Sequence, residues 1–160
     1  MKQYGPEYWD KYGVYRAPIA FNLSLLVLLR PFLIWVLVAV SRQPELDLMS
    51  IFYHSKHDFF VAMGIASGAL ISAAVYSFRR PSSSPKIATL WRFMRYPMLF
   101  TACLDLGWLL WKAQLSYYQF SGFIAVQLVM VAWVILYLLK SQYLACFFND
   151  WPEHEPPKKS

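Results

Sequence analysis

The sequence predicts an all-α membrane protein: a four-transmembrane-helix bundle with both termini cytoplasmic and interfacial aromatic segments at its N- and C-terminal ends. Three observations predict it. First, the 160 residues are 58% hydrophobic and only 15% charged, where a soluble domain carries about 25% charged residues. Second, four continuous apolar runs occur, at about 19–41, 59–78, 96–113 and 120–139. At 1.5 Å per residue each approaches or exceeds a ~30 Å hydrocarbon core, the third being the shortest. Third, Lys and Arg gather in alternate connections, as topology determinants do.

The first element is the N-terminal stretch "MKQYGPEYWDKYGVYRAP". It is more aromatic than a plain tail needs, and Gly5-Pro6 and Gly13 break it into short pieces. It suits the membrane interface, where Tyr8, Trp9, Tyr12 and Tyr15 act as amphipathic anchors. A sharper reading makes Tyr8, Trp9 and Tyr12 a docking surface for a partner.

The first span, 19–41, contains "SLLVLLRPFLIWVLV". It starts late, is too long for a signal-peptide core and lacks a small-residue cleavage site, so a cleavable leader is the weaker reading. Pro31 removes a helix hydrogen bond and kinks the helix. The carbonyl it frees, near Val27, is a natural acceptor for a guanidinium or a serine. The second span follows the loop containing "FYHSKHDFF" and carries "MGIASGALISAA". Gly64, Gly68 and Ser72 recur every four residues, spacing that lets helix backbones approach closely. The polar, proline-bounded "RRPSSSPK" reads as a linker. Trp91 and Tyr96 mark the inner end of the third span. Trp108, Trp111, Tyr117 and Tyr118 mark the outer turn before the fourth. After it, Tyr143, Leu144, Phe147, Phe148 and Trp151 recur at roughly helical spacing. They read as an extension that bends onto the inner membrane surface, with Phe147, Phe148 and Trp151 as further docking candidates. Residues 1–148 form one transmembrane domain on this reading, and 149–160 a disordered cytoplasmic tail.

Orientation follows from the basic residues. Lys2, Lys11 and Arg16 precede span one. Arg79, Arg80, Lys86, Arg92 and Arg95 lie between spans two and three. Lys140, Lys158 and Lys159 follow span four. Only Arg42, Lys56 and Lys112 lie on the other side. The positive-inside rule therefore puts both termini in the cytoplasm. The net charge of +6 is a topology signal, not a nucleic-acid footprint.

Two formal charges fall inside the spans. Arg30 lies about 16 Å along span one, and Asp105 about 13 Å along span three, which runs the same way. Each alone costs about 2.5–3.5 kcal/mol at a helix centre. An Arg30–Asp105 ion pair removes much of that penalty and fixes which helix faces meet. Its bland role is helix register; its sharper role is a proton or ion relay. Few further polar groups line the spans: Asn22, Ser67, Ser72 and Gln127.

No catalytic or metal constellation emerges. His54, His57 and Asp58 form an HxxHD cluster, but Lys56 sits among them and a third firm ligand is missing. Cys103 and Cys146 are too far apart in sequence for a short redox or metal motif and read as small hydrophobes in a reducing compartment. No glycine-rich phosphate loop, HExxH or nucleophile-base pattern is present. No cofactor is expected.

The stretches "YWDKYGVYRAP", "LLRPFLIW" and "FYHSKHDFFVAMGIASG", in that order, resemble a family of small bacterial inner-membrane proteins. These are the YfeZ-like proteins, a domain of unknown function. The resemblance covers residues from about Tyr4 to about Phe148. It implies a Gram-negative host, the inner membrane and four spans, and it supplies no catalytic residue.

The expected role is non-enzymatic: an accessory or interaction subunit of a larger membrane assembly in the bacterial inner membrane. Its partners would be lipid and another membrane protein or a second copy, with no nucleic acid. The alternative is a small homo-oligomeric transporter or ion-coupled carrier using Arg30 and Asp105.

Overall fold

The computed structural model describes residues 4–10, 13–41, 53, 55–80, 84–115 and 122–152. Tyr12, His54, Tyr117, Tyr118 and the tail from residue 153 lie outside them. The described residues form seven α-helices and no strand: α1 Ile19–Leu28, α2 Arg30–Val40, α3 Lys56–Ser77, α4 Pro85–Phe93, α5 Arg95–Leu115, α6 Gly122–Lys140 and α7 Gln142–Asn149. By length and composition α3 alone can cross a membrane as one helix. The bent pairs formed by α1 with α2 and by α6 with α7 bring the number of candidate spans to three. Helix α5 is 21 residues long but is diluted by Arg95, Asp105 and Lys112.

Local chemistry explains the breaks. Pro31 has no N–H, so the carbonyl of Val27 loses its donor four residues on. The run expected to be one helix over 19–41 is two, meeting at 68°. Arg30 Nη1 donates to that carbonyl at 3.2 Å. At the other bend Ser141 is the N-cap of α7, its Oγ accepting from Leu144 N at 3.2 Å. An N-cap residue has non-helical backbone, so Ser141 ends α6 where it begins α7, and the two meet at 67°. Helix α3 starts at an N-cap serine, Ser55 Oγ accepting from Asp58 N at 3.2 Å. Asp58 also places negative charge in the first turn, where the helix dipole favours it.

The expected linker is only partly a loop. Residues after Ser84 fold as α4, with Pro85 in its first turn, the helical position proline tolerates best. Its Trp91, expected at the interface, is fully buried, with Nε1 donating to Phe147 O at 3.2 Å. A buried indole needs such a partner.

Helix α5 lies between α3 and α6; α1 packs on α6 and α3, α2 on α3, and α4 on α7. The buried seam of α3 is Phe59, Ala62, Ala66, Ala69, Ser72 and Val75. The facing seam of α5 is Met98, Thr101, Ala102, Asp105, Leu109 and Ala113. Small residues on α3 bring the helices close. At Gly68 an added Cβ would run into Thr101 Oγ1. Two apolar clusters result. A large one, rich in aromatics, centres on Phe21, Trp91, Phe147 and Phe148 at the end where the N-terminal arm lies. A small one at the far end joins Ile34, Tyr53, Phe59 and Ala62. The Arg30–Asp105 pair lies where α2 begins, next to both.

Every long helix also leaves large apolar side chains exposed, among them Leu26, Trp35, Phe60, Phe100 and Val129. A soluble monomer rarely exposes apolar surface on this scale.

Candidate functional site

The site builds outward from the Pro31 break. The bend puts Arg30 at the first residue of α2, with its guanidinium turned onto α5. Nη1 donates to Asp105 Oδ2 at 2.6 Å and Nη2 to Asp105 Oδ1 at 2.8 Å. This is the bidentate fork that matches guanidinium to carboxylate. The two side chains are 12% and 7% exposed. Together with the bond to Val27 O, one side chain serves a buried carboxylate and a carbonyl orphaned by proline.

Toward the far end, about two helical turns along α5 from Asp105, Lys112 Nζ pairs with Asp58 Oδ2 at 2.5 Å. Between the two pairs is a cavity of about 30 Å³, lined by Arg30, Tyr53, Asp105, Trp108, Lys112 and Gln127 among others. That is room for about one water molecule. Gln127 and Tyr53 are buried. Among the described residues Arg30 Nε has no hydrogen-bond partner, and the buried Tyr53 hydroxyl faces the Arg30 guanidinium. Chemically the arrangement can hold a proton or a water between balanced charges. It contains no nucleophile aligned with a base.

A second polar focus lies at the arm end. Arg79, at the exit of α3, donates to Tyr15 O at 2.9 Å and Asp150 O at 3.0 Å. Its guanidinium stands 4.4 Å from the centre of the Phe147 ring. Asp150 Oδ2 accepts from Tyr15 N at 2.8 Å. Tyr143 OH donates to Arg16 O at 2.8 Å, and Tyr4, Tyr8 and Tyr15 surround its ring. Burial weighs against the Arg79 charge and lowers its pKa, opposed first by Asp150. Burial raises that of Tyr143, opposed by Arg79. Arg79 thus clasps the arm to the C-terminal segment, a role beyond the topology signal read from sequence.

The other candidates divide. Ser72 is buried, with Oγ donating to Gly68 O at 3.2 Å. Gly68 packs on α5, but Gly64 is exposed with nothing near a built Cβ, so the helix-packing set reduces to Gly68 and Ser72 with the buried alanines. Tyr8 and Trp9 are exposed on the arm. Phe147 and Phe148 are core residues instead of docking residues, because α7 folds back on α4 and α1. Trp151 is half-buried beside Trp91. His57 is exposed and Asp58 is engaged by Lys112. Among the described residues no three His, Cys, Asp or Glu side chains converge. Cys103 is exposed and Cys146 half-buried. Sequence reasoning missed Tyr53, Thr101 and the Lys112–Asp58 pair. Asp58 as an N-cap neighbour and Lys112 near the end of a charged span were the available signals.

Residues 4–150 match the family profile described as "Protein of unknown function (DUF2919)". The chain is similar to the inner membrane protein YfeZ of Escherichia coli strain K12. The two are 26% identical over 148 residues, 92% of this chain and 95% of that protein. No solved structure matches. The family match takes in all seven helices, both ion pairs and the Arg79 clasp, and the chain belongs to this DUF2919 family of YfeZ-like proteins.

Proposed function

We propose that the protein is an integral inner-membrane protein of four spans with cytoplasmic termini, acting without catalysis as an accessory or interaction subunit of a larger membrane assembly. The spans are α1 with α2, α3, α5, and α6 up to Ser141, with α4 and α7 at the inner surface. The exposed apolar residues around the bundle, the positive-inside pattern and the name of the E. coli relative support the location.

The observation that carries the interaction role is α2. Bent away by 68°, it packs on α3 and buries only Pro31 and Ile34. It leaves Leu33, Trp35, Val36, Leu37 and Val40 exposed, Trp35 at 51%. An apolar half-helix with one side on α3 and the other uncovered, with an aromatic at its centre, suits the face of a partner helix. The closed fork on Asp105 supports the same reading, because a carboxylate held at both oxygens is poorly placed to relay protons.

The test is a tagged pull-down at native expression in mild detergent, read by mass spectrometry and particle mass. A stoichiometric second membrane protein, lost in Trp35→Ala, is expected. A clean homo-oligomer with nothing else bound overturns the accessory role.

One observation favours the carrier alternative: the small cavity beside Arg30 and Asp105, lined by the buried Tyr53 and Gln127. On that reading Asp105→Asn abolishes liposome flux at normal expression. On the structural reading there is no flux to abolish.

A further inference from the structure

A concavity larger than the one beside the charge pair is also present. It lies at the arm end, where the N-terminal arm, the first turn of α1 and the hinge between α6 and α7 meet. Its volume is about 570 Å³, and its walls include Glu7, Arg16, Ile19, Asn22, Tyr137 and Ser141. That size falls in the range of small-molecule sites.

Three features define its chemistry. It holds both signs of charge: Arg16 and Glu7, each exposed, line the same space. It holds the Tyr137 hydroxyl, buried beside the Ser141 side chain that lines the same space. Its floor is apolar and opens onto the outside of α1. Ile19 is 78% exposed, and Leu23 and Leu26 continue the exposed apolar path along the same helix. The backbone of Arg16 is fixed at the rim, its N–H donating to Tyr8 O at 2.8 Å and its carbonyl accepting from Tyr143.

We propose that this cavity binds one phospholipid whose headgroup carries a phosphate and a primary ammonium, as in phosphatidylethanolamine. The Arg16 guanidinium meets the phosphate, where its planar fork is favoured. Tyr137 OH donates to a phosphate or ester oxygen. The Glu7 carboxylate accepts from the ammonium. One acyl chain leaves over Ile19 and runs down α1 past Leu23 and Leu26. A wholly anionic headgroup would leave Glu7 facing like charge, and a trimethylated ammonium has no N–H to donate. A soluble zwitterion would not use the apolar exit. The proposal rests on α1 and α6 entering the bilayer, as the four-span reading has it, and not on which leaflet they enter.

The test uses the full-length protein purified in detergent. It is offered equal amounts of phosphatidylethanolamine, phosphatidylcholine and phosphatidylglycerol, and bound lipid is read by native mass spectrometry. The expected result is one retained phosphatidylethanolamine, preferred about tenfold over the other two. Arg16→Ala should reduce retention about fivefold. Tyr137→Phe should reduce it by about the same factor, with an unchanged unfolding midpoint as the control on folding. Glu7→Gln should erase the preference over phosphatidylglycerol and keep the lipid. Unselective retention of all three lipids, or retention unchanged in both Arg16→Ala and Tyr137→Phe, overturns the proposal. Displacement of the lipid by millimolar phosphoethanolamine alone overturns the lipid as the source of the headgroup. Loss of all lipid from wild type overturns this site and leaves the bilayer placement of α1 standing, which resistance of the membrane-bound protein to carbonate extraction reads separately.

Discussion

Asp105→Asn is the substitution that weighs the charge pair most directly. The amide keeps the shape of the carboxylate and removes its charge, so Arg30 stays ionised with only 12% of its side chain exposed. A single charge at a helix centre costs about 2.5–3.5 kcal/mol. Stripping one partner from a buried pair costs about 3–5 kcal/mol by a separate route. The two agree on roughly 3 kcal/mol. At about 2–4 °C per kcal/mol for a chain of this size, the unfolding midpoint in detergent should fall by roughly 5–15 °C. Replacing both partners by apolar residues of similar volume, Arg30→Met with Asp105→Leu, should recover most of that loss, because no bare charge remains. Recovery should stop about 1 kcal/mol short, since Val27 O then loses the donor that Arg30 supplies at 3.2 Å. Thermal unfolding followed by tryptophan fluorescence reads all three variants. A midpoint for Asp105→Asn within 2 °C of wild type, or a double variant no better than the single, refutes the reasoning.

The remaining predictions concern packing and the cap. Gly68→Ala forces a Cβ into Thr101 and should lose about 1–3 kcal/mol, while Gly64→Ala should change stability little; equal losses in the same unfolding assay would deny the close α3–α5 approach. Arg79→Lys keeps the charge and loses the fork that reaches both Tyr15 O and Asp150 O, so limited proteolysis at Arg16 should accelerate; unchanged cleavage would mean the clasp does not hold the arm. Tyr143 has its phenol pKa raised by burial, which favours its neutral form in the fold. Its contribution is therefore complete below the ordinary tyrosine value of about 10 and lost as pH rises through the folded value. An ultraviolet difference titration of wild type against Tyr143→Phe should show one phenol titrating above 10, and a midpoint at or below 10 would contradict its burial.

What sequence made legible follows from the strength of the constraint. Opposite charges at equal depth on two apolar runs leave few alternatives to contact, and Arg30 stands on Asp105. A proline after a helical run orphans a known carbonyl, and Val27 O is bonded by Arg30. The bend after the fourth run was visible in the aromatic spacing beyond Lys140. Helix α4 was not legible, because "SSSP" signals a loop and the helix after it is only nine residues long. Its stripe of Ile87, Trp91 and Met94 was the signal available. Trp91 and Phe147 pointed to the interface because aromatic residues near span ends usually do. Their burial depends on α4 and α7 folding onto each other, a non-local contact with no signature in either segment. Gly64 and Gly68 are alike in sequence, and only the helix crossing separates them.

The bend and the charge pair are one device. Straight, α1 and α2 would reach about 32 Å, enough for a ~30 Å core. Bent by 68°, their end-to-end reach falls to about 26 Å, and only if each half tilts about 34° from the normal. The bend therefore gives up the span's margin, and something must hold it. Pro31 alone removes a hydrogen bond without choosing a direction. The fork from Arg30 to Asp105 chooses it, by tying the apex of the bend to α5, and the same guanidinium satisfies the carbonyl the proline freed. Arg30 can sit within an apolar run because the chain is broken there, and the chain can be broken there because Arg30 is present. The outcome is an α2 that packs on α3 through Ile34 and leaves Leu33, Trp35 and Leu37 uncovered, so the proposed partner should be sought at Trp35 and not at the charges.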